Sequence, residues 1–130
     1  MKNRGGGRTN QMKKILVVDD SFAMRLVLKE IIPKKYQIIE ADSAETALTQ
    51  FENEHPDLVL LDIVMPGGDE AGIDVLQKLM KGHPTVRIVM LSAVGQDAVI
   101  ERCRKLGALD YLVKPFDDKI VPQTIDHFIA

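Results

Sequence analysis

An α/β fold built on a parallel sheet covered on both faces is predicted for this chain, and three features predict it. Short apolar runs alternate strictly with amphipathic stretches, five of each. Runs such as Ile15-Leu16-Val17-Val18 and Leu58-Val59-Leu60-Leu61 are continuously apolar, as strands buried on both faces are. Most runs then stop abruptly on a polar or charged residue, at the strand end where open α/β sheets gather their ligands. Strands separated by helices imply right-handed crossovers.

At 130 residues the chain is long enough for one domain with a real core and too short for two. A 45% hydrophobic and 28% charged composition is that of an ordinary soluble globular protein. Lys2, Arg4 and Arg8 stand in a leading segment without acids, so the body is more acidic than the formal charge of −2 implies. Such a body lacks the basic face that direct nucleic-acid binding needs. The single Cys103 excludes an internal disulfide framework and fits a reducing cytoplasm. No apolar run approaches the roughly 18 residues of a membrane span, and the N-terminus has no signal-peptide apolar region. A cytoplasmic protein without membrane contact is expected.

Residues 1–12, with Gly5-Gly6-Gly7 and no apolar periodicity, read as a flexible tail, and 13–130 as the folded domain. Lys14–Val18 is the first strand and ends on Asp19-Asp20-Ser21. Met24, Val27, Leu28 and Ile31 form the apolar stripe of a helix that Pro33 ends. Gln37–Ala41 alternates in part, as an edge strand does. Asp42 or Ser43 caps a second helix striped by Ala44, Ala47, Leu48 and Phe51. The third strand ends on Asp62, before the turn Met65-Pro66-Gly67-Gly68. Ile73, Leu76, Leu79 and Met80 mark a third helix, stopped by Gly82 and Pro84. Val86–Leu91 is a fourth strand ending on Ser92. A fourth helix runs from about Gln96 to Leu106, with Gly107 as its C-terminal glycine. Tyr111-Leu112-Val113 is the heart of a fifth strand and ends on Lys114-Pro115. The last helix is expected to begin near Pro122, where a missing N–H costs nothing.

Strands one, three, four and five thus end on Asp19/Asp20, Asp62, Ser92 and Lys114, and a parallel sheet brings those ends to one edge. Three converging carboxylates raise one another's pKa unless a cation joins them. All-oxygen ligands favour Mg²⁺, or Mn²⁺, over zinc. Mg²⁺ keeps several waters and leaves room for phosphate oxygens, while Lys114 adds a point charge and Ser92 a hydroxyl. A carboxylate in that setting can attack phosphorus, and phosphoryl transfer needs little beyond positioning and charge neutralisation. The residues point to a Mg²⁺-dependent phosphoacceptor aspartate.

Val17-Val18-Asp19-Asp20-Ser21, Leu61-Asp62-Ile63-Val64-Met65-Pro66, Leu91-Ser92-Ala93 and Tyr111-Leu112-Val113-Lys114-Pro115-Phe116 resemble the receiver domains of two-component response regulators, of the single-domain CheY-like type. The resemblance runs from residue 14 to about 129 and implies a flavodoxin-like (βα)5 doubly wound sheet of strand order 2-1-3-4-5. It implies that a histidine kinase or histidine phosphotransfer protein phosphorylates Asp62. Asp20, Asp62 and the Val64 carbonyl would hold the metal directly, with Asp19 acting through water. Ser92 and Lys114 would read the phosphoryl group, the Lys114–Pro115 bond would be cis, and Tyr111 would be the switch aromatic. Phosphorylation would draw Ser92 inward and let Tyr111 turn into the vacated space. The face of helix four, strand five and helix five would then change its preferred protein partner. Ser92-Ala93-Val94-Gly95-Gln96, with Met24-Arg25, looks most like the chemotaxis branch. A phosphorelay intermediate, or a receiver belonging to a larger regulator, is the alternative. No turnover enzyme is expected, beyond catalysis of the domain's own phosphorylation and dephosphorylation.

Two departures from the family pattern stand out. The loop Gly67-Gly68-Asp69-Glu70-Ala71-Gly72 is about two residues longer than is usual. Val64 and Val94 flank the expected path of hydrolytic water and neither can orient it, so slow self-hydrolysis is expected. Other classes fit less well. A flavin carrier would need a Ser/Thr/Gly-rich phosphate loop where Asp19-Asp20 stand. A haloacid-type phosphatase would carry its nucleophile after strand one and an Asp two positions on, where this chain has Ser21 and Phe22. Asp19 or Asp20 could also serve as a helix cap, and Tyr111 as an ordinary core aromatic.

Overall fold

The computed structural model describes residues 12–66, 68 and 70–130. Residues 1–11 of the expected tail, and Gly67 and Asp69 of the longer loop, lie outside them. The order is β1 (Lys13–Val18), α1 (Phe22–Ile31), β2 (Tyr36–Ala41), α2 (Ala44–Glu54), β3 (Leu58–Asp62), α3 (Ala71–Gly82), β4 (Ile88–Ser92), α4 (Asp97–Lys105), β5 (Asp110–Val113) and α5 (Ile120–Ile129). All neighbouring strands pair in parallel, in the spatial order β2-β1-β3-β4-β5. This is the flavodoxin-like order that the resemblance implies, with β2 on an edge as its partial alternation predicts.

The continuous apolar runs are explained by what covers the sheet. Leu16, Val18, Val59, Leu61 and Met90 pack against α2, α3 and α4. Ile15, Val17, Leu58, Leu60, Val89 and Leu91 pack against α1 and α5. Successive residues of these central runs enter opposite cores, so no position can be polar before the strand reaches its end. Each fully buried Leu or Ile contributes about 1.5–3 kcal/mol over its exposed state. The strand ends escape this demand, and there the chain can hold charges.

Helix signals acted largely as the sequence indicates. Ser43 caps α2 in a reciprocal box, its hydroxyl accepting from the Thr46 N–H while the Thr46 hydroxyl accepts from the Ser43 N–H. Gly107 takes φ +116° after α4. In α1 the expected stripe is shifted at one position. Val27 is 36% exposed, and Ile32, one residue past the helix, supplies the missing contact at 1%. α5 begins at Ile120, two residues earlier than expected, and Pro122 sits inside its first turn. The physical reason is the same one that favours proline at the start, since first-turn N–H groups have no acceptor within the helix. Among the described residues no helix is long and apolar enough to cross a membrane.

Candidate functional site

Register decides which residues meet. β1 pairs Val18 with Leu61 of β3, and β3 pairs Asp62 with Leu91 of β4, so Asp19 and Asp62 leave adjacent strands at the same level. β4 pairs Ser92 with Val113, and the Lys114 N–H donates to the Ser92 carbonyl at 2.8 Å. Four strand ends thereby converge on one open cavity of about 280 Å³. Asp19, Asp20, Asp62, Val64 and Lys114 line it, as the sequence predicts, together with Ser21, Met65, Ala93 and Gln96. Two expected residues lie off its wall. Ser92 is buried behind it with its hydroxyl unpartnered, and Tyr111 lines a separate groove with Val94, Pro115, Phe116 and Ile120 on the α4–β5–α5 side. Lys114 borders both spaces.

Asp19 is fully buried and Asp62 nearly so, whereas Asp20 is exposed. Lys114 Nζ lies 3.0 Å from Asp19 Oδ2 and donates to Asp62 Oδ2 at 3.1 Å. The backbone holds the carboxylates as well. The Ser21 N–H donates to Asp19 Oδ1 at 2.9 Å, and the Val64 N–H to Asp62 Oδ1 at 3.2 Å. Burial, and then the charge of Asp19, push the Asp62 carboxyl up to about 6 against the opposing pull of Lys114 and the Val64 amide. Burial alone would lower the Lys114 ammonium, but Asp19 and Asp62 outweigh it and hold it above its ordinary value.

The cap of α1 belongs to Ser21, whose hydroxyl accepts from the Met24 N–H at 3.2 Å, and neither aspartate is needed for it. Neither carboxylate is spent on the Met24 amide, and both line the cavity. One oxygen from each of Asp19, Asp20 and Asp62 lies within 4.8 Å of the others, and the buried Asp19 Oδ2 has the Lys114 ammonium 3.0 Å away as its partner. Three clustered carboxylates share one ammonium, and this cluster of hard, anionic oxygens fits a divalent cation of the Mg²⁺ class. The Lys114–Pro115 peptide bond is cis, as expected.

Three supporting residues were not singled out for the site from the sequence. Arg25 donates through its guanidinium to the Asp19 carbonyl at 2.6 Å and pairs with Glu40 at 2.9 Å, bracing β1 against β2. Gly72 packs so tightly under β3 that an added Cβ would come 2.2 Å from the Asp62 carbonyl oxygen and 2.5 Å from that of Ile63. Gln96, read only as the start of a helix, turns its side chain back to accept from the Ala93 N–H at 2.7 Å. The glycine two residues after Ala93 was the available signal. Gly95 takes φ +90°, and that reversal brings the Gln96 side chain over the cavity.

Relatives carry the same architecture. Residues 15–126 match the family described as response regulator receiver domain. The chain is 38% identical to a chemotaxis protein CheY of Thermotoga maritima, across 88% of this chain and 95% of that one. It is 39% identical to sporulation initiation phosphotransferase F of Bacillus subtilis, across 81% and 84% respectively. The crystal structure of the receiver domain of NtrX from Brucella abortus superposes with a TM-score of 0.83 at 29% identity, covering 88% of this chain and 97% of that one. Membership implies a histidine kinase or phosphotransfer protein as the phosphoryl source. With its parallel sheet, its acidic pocket and this match over most of its length, the chain belongs to the receiver domains of response regulators and is a phosphorylation-switched signalling module.

Proposed function

We propose that Asp62 is the phosphoacceptor and that Asp19 and Asp20 complete a Mg²⁺ site beside it, with Mn²⁺ as an alternative ion. The observation that carries this reading is the convergence of three aspartate oxygens and one ammonium at the end of β3. In the forward step a carboxylate oxygen of Asp62 bonds to phosphorus as the bond from phosphorus to the donor's leaving group breaks. The leaving group departs with the electron pair. For a phosphohistidine donor that group is the imidazole nitrogen, and for acetyl phosphate it is acetate. A divalent cation, when bound, supplies charge neutralisation for the phosphoryl oxygens. Asp20 and Asp62, with the Val64 carbonyl, would hold it directly, and Asp19 through water.

Lys114 holds the Asp62 carboxylate now and is free to transfer that contact to a phosphoryl oxygen. The unpartnered Ser92 hydroxyl is the donor that such a group would recruit. Movement of Ser92 would open space toward Tyr111, which is half-buried beneath the Arg104 guanidinium. Tyr111 then acts as the switch, and the α4–β5–α5 face as the output surface for a protein rather than for nucleic acid. The module works in the cytoplasm and turns over no substrate beyond its own phosphoryl group. The chemotaxis reading is supported by the CheY relative, and relay of phosphate to a second histidine by the sporulation phosphotransferase.

The test is chemical mapping. Incubation with acetyl phosphate and Mg²⁺, then borohydride reduction, is expected to convert Asp62 alone to homoserine. Conversion at another aspartate overturns the assignment.

A further inference from the structure

A phosphoryl group on Asp62 has three anionic oxygens to satisfy, and the cavity offers few donors. Besides Lys114 they include the Ser92 hydroxyl, buried behind the wall, and the backbone amides of the lining residues, among them Val64 and Ala93. The Val64 N–H is held by the Asp62 carboxylate itself, the group to be modified. The Ala93 N–H is held by a different chemical group, the Gln96 carboxamide oxygen, at 2.7 Å. That contact is short, and both of its residues line the cavity. Gln96 occupies the N-cap position of α4 yet makes no capping hydrogen bond there, because its side chain is committed backward.

We propose that the Gln96 carboxamide is an internal competitor for the phosphoryl group, occupying the Ala93 amide that a phosphoryl oxygen on Asp62 would take. This rests on Asp62 being the phosphoacceptor. An amide oxygen and a phosphoryl oxygen accept from the same N–H, and one N–H serves one strong acceptor at a time. Seating the phosphoryl group therefore expels Gln96. Expulsion opens the Ala93–Gln96 loop and frees the first turn of α4, so the same event that fills the cavity loosens the helix beside the output face. The competitor biases the unphosphorylated protein toward its resting state by about the worth of one intramolecular hydrogen bond, roughly fivefold in the phosphorylation equilibrium.

The charge and reach of residue 96 give the test a sign. Gln96→Ala leaves the Ala93 amide to water and is expected to raise both the rate and the extent of modification by acetyl phosphate about fivefold, followed by intact mass in Mg²⁺. Gln96→Glu keeps the reach, accepts more strongly and repels the incoming phosphate, so it is expected to fall below wild type. Equal behaviour of the three proteins, or slower modification of Gln96→Ala, overturns the proposal. A second readout needs no variant. In wild type, addition of beryllium fluoride and Mg²⁺ is expected to shift the NMR resonances of the Ala93 amide and the Gln96 side-chain NH₂ together. A moving Ala93 amide with a stationary Gln96 also overturns it. A wild type that takes no phosphoryl group strikes the assignment of Asp62, and this inference falls with it.

Discussion

Lys114 Nζ sits 3.0 Å from Asp19 and 3.1 Å from Asp62, so one ammonium spans two buried carboxylates. Removing it leaves two buried like charges facing each other without their shared counter-ion, which is costly. Lys114→Met is expected to lower stability by about 2 kcal/mol in chelator, and Mg²⁺ is expected to recover more stability in the variant than in wild type. Denaturant melts with and without Mg²⁺ check this. An unchanged midpoint in chelator would show that the pair contributes nothing to the fold.

The Asp62 carboxyl adds a pH dependence of known sign. Its folded value of about 6 lies above the ordinary 3.8, so the folded state binds its proton more tightly. The stability contributed by this group is complete below about 3.8 and is lost as pH rises through about 6. The full shift corresponds to about 3 kcal/mol by neutral pH, reduced to about 2 by solvent screening beside an open cavity. Asp62→Asn is expected to remove that slope and to exceed wild type in stability at neutral pH in chelator. Parallel melts of the two proteins across the range decide it, and a less stable Asp62→Asn contradicts it.

Gly72 carries a steric prediction. Two backbone carbonyls of the β3 end occupy the space that a methyl group would need, and neither is a flexible side-chain tip. Gly72→Ala is expected to cost about 3 kcal/mol and to slow Asp62 modification, because relief requires moving the strand end. Gly82→Ala, where nothing crowds the added atom, serves as the control and should leave both quantities unchanged.

Far from the site, the Tyr36 hydroxyl donates to Asp126 at 2.5 Å and ties β2 to α5. Burial, then that hydrogen bond, push the Tyr36 phenol up to about 12. Its contribution is therefore complete below about pH 10 and is lost as pH rises through 12. Tyr36→Phe is expected to cost about 1 kcal/mol at neutral pH and to flatten the alkaline limb of the stability curve.

Val64, on the cavity wall, and Val94, in the neighbouring groove, are exposed at 43% and 81%, and neither carries a group that could position water. The phosphoryl group on Asp62 is expected to decay slowly, and Val64→Asn is expected to speed the decay severalfold. Decay within seconds, with the variant no faster, contradicts it.

Most of this architecture was legible in the sequence because parallel strands buried on both faces cannot tolerate polar residues. The runs at Ile15–Val18 and Leu58–Leu61 therefore announce themselves, and their polar ends give the site. The parts that were not legible depend on contacts between segments distant in sequence or on a side chain reversing direction. Val27 and Ile32 exchanged roles because the core under α1 and α5 extends past the end of α1. Pro122 marked the first turn of α5 without marking its first residue. Arg25 on α1 reaches both the Asp19 carbonyl at the end of β1 and Glu40 on β2, a pairing no local pattern encodes. Gln96 reaches the cavity only because Gly95 turns the chain back, and helical periodicity predicts the backbone there but not the direction of that side chain.

The central claim, that Asp62 accepts a phosphoryl group in a metal-dependent reaction, is tested most directly by intact mass after incubation with acetyl phosphate and Mg²⁺. Asp62→Asn and a chelator-treated sample run alongside. The account predicts one added phosphoryl group on wild type and none in either control. An adduct that persists in Asp62→Asn or in chelator, or no adduct on wild type, would contradict it.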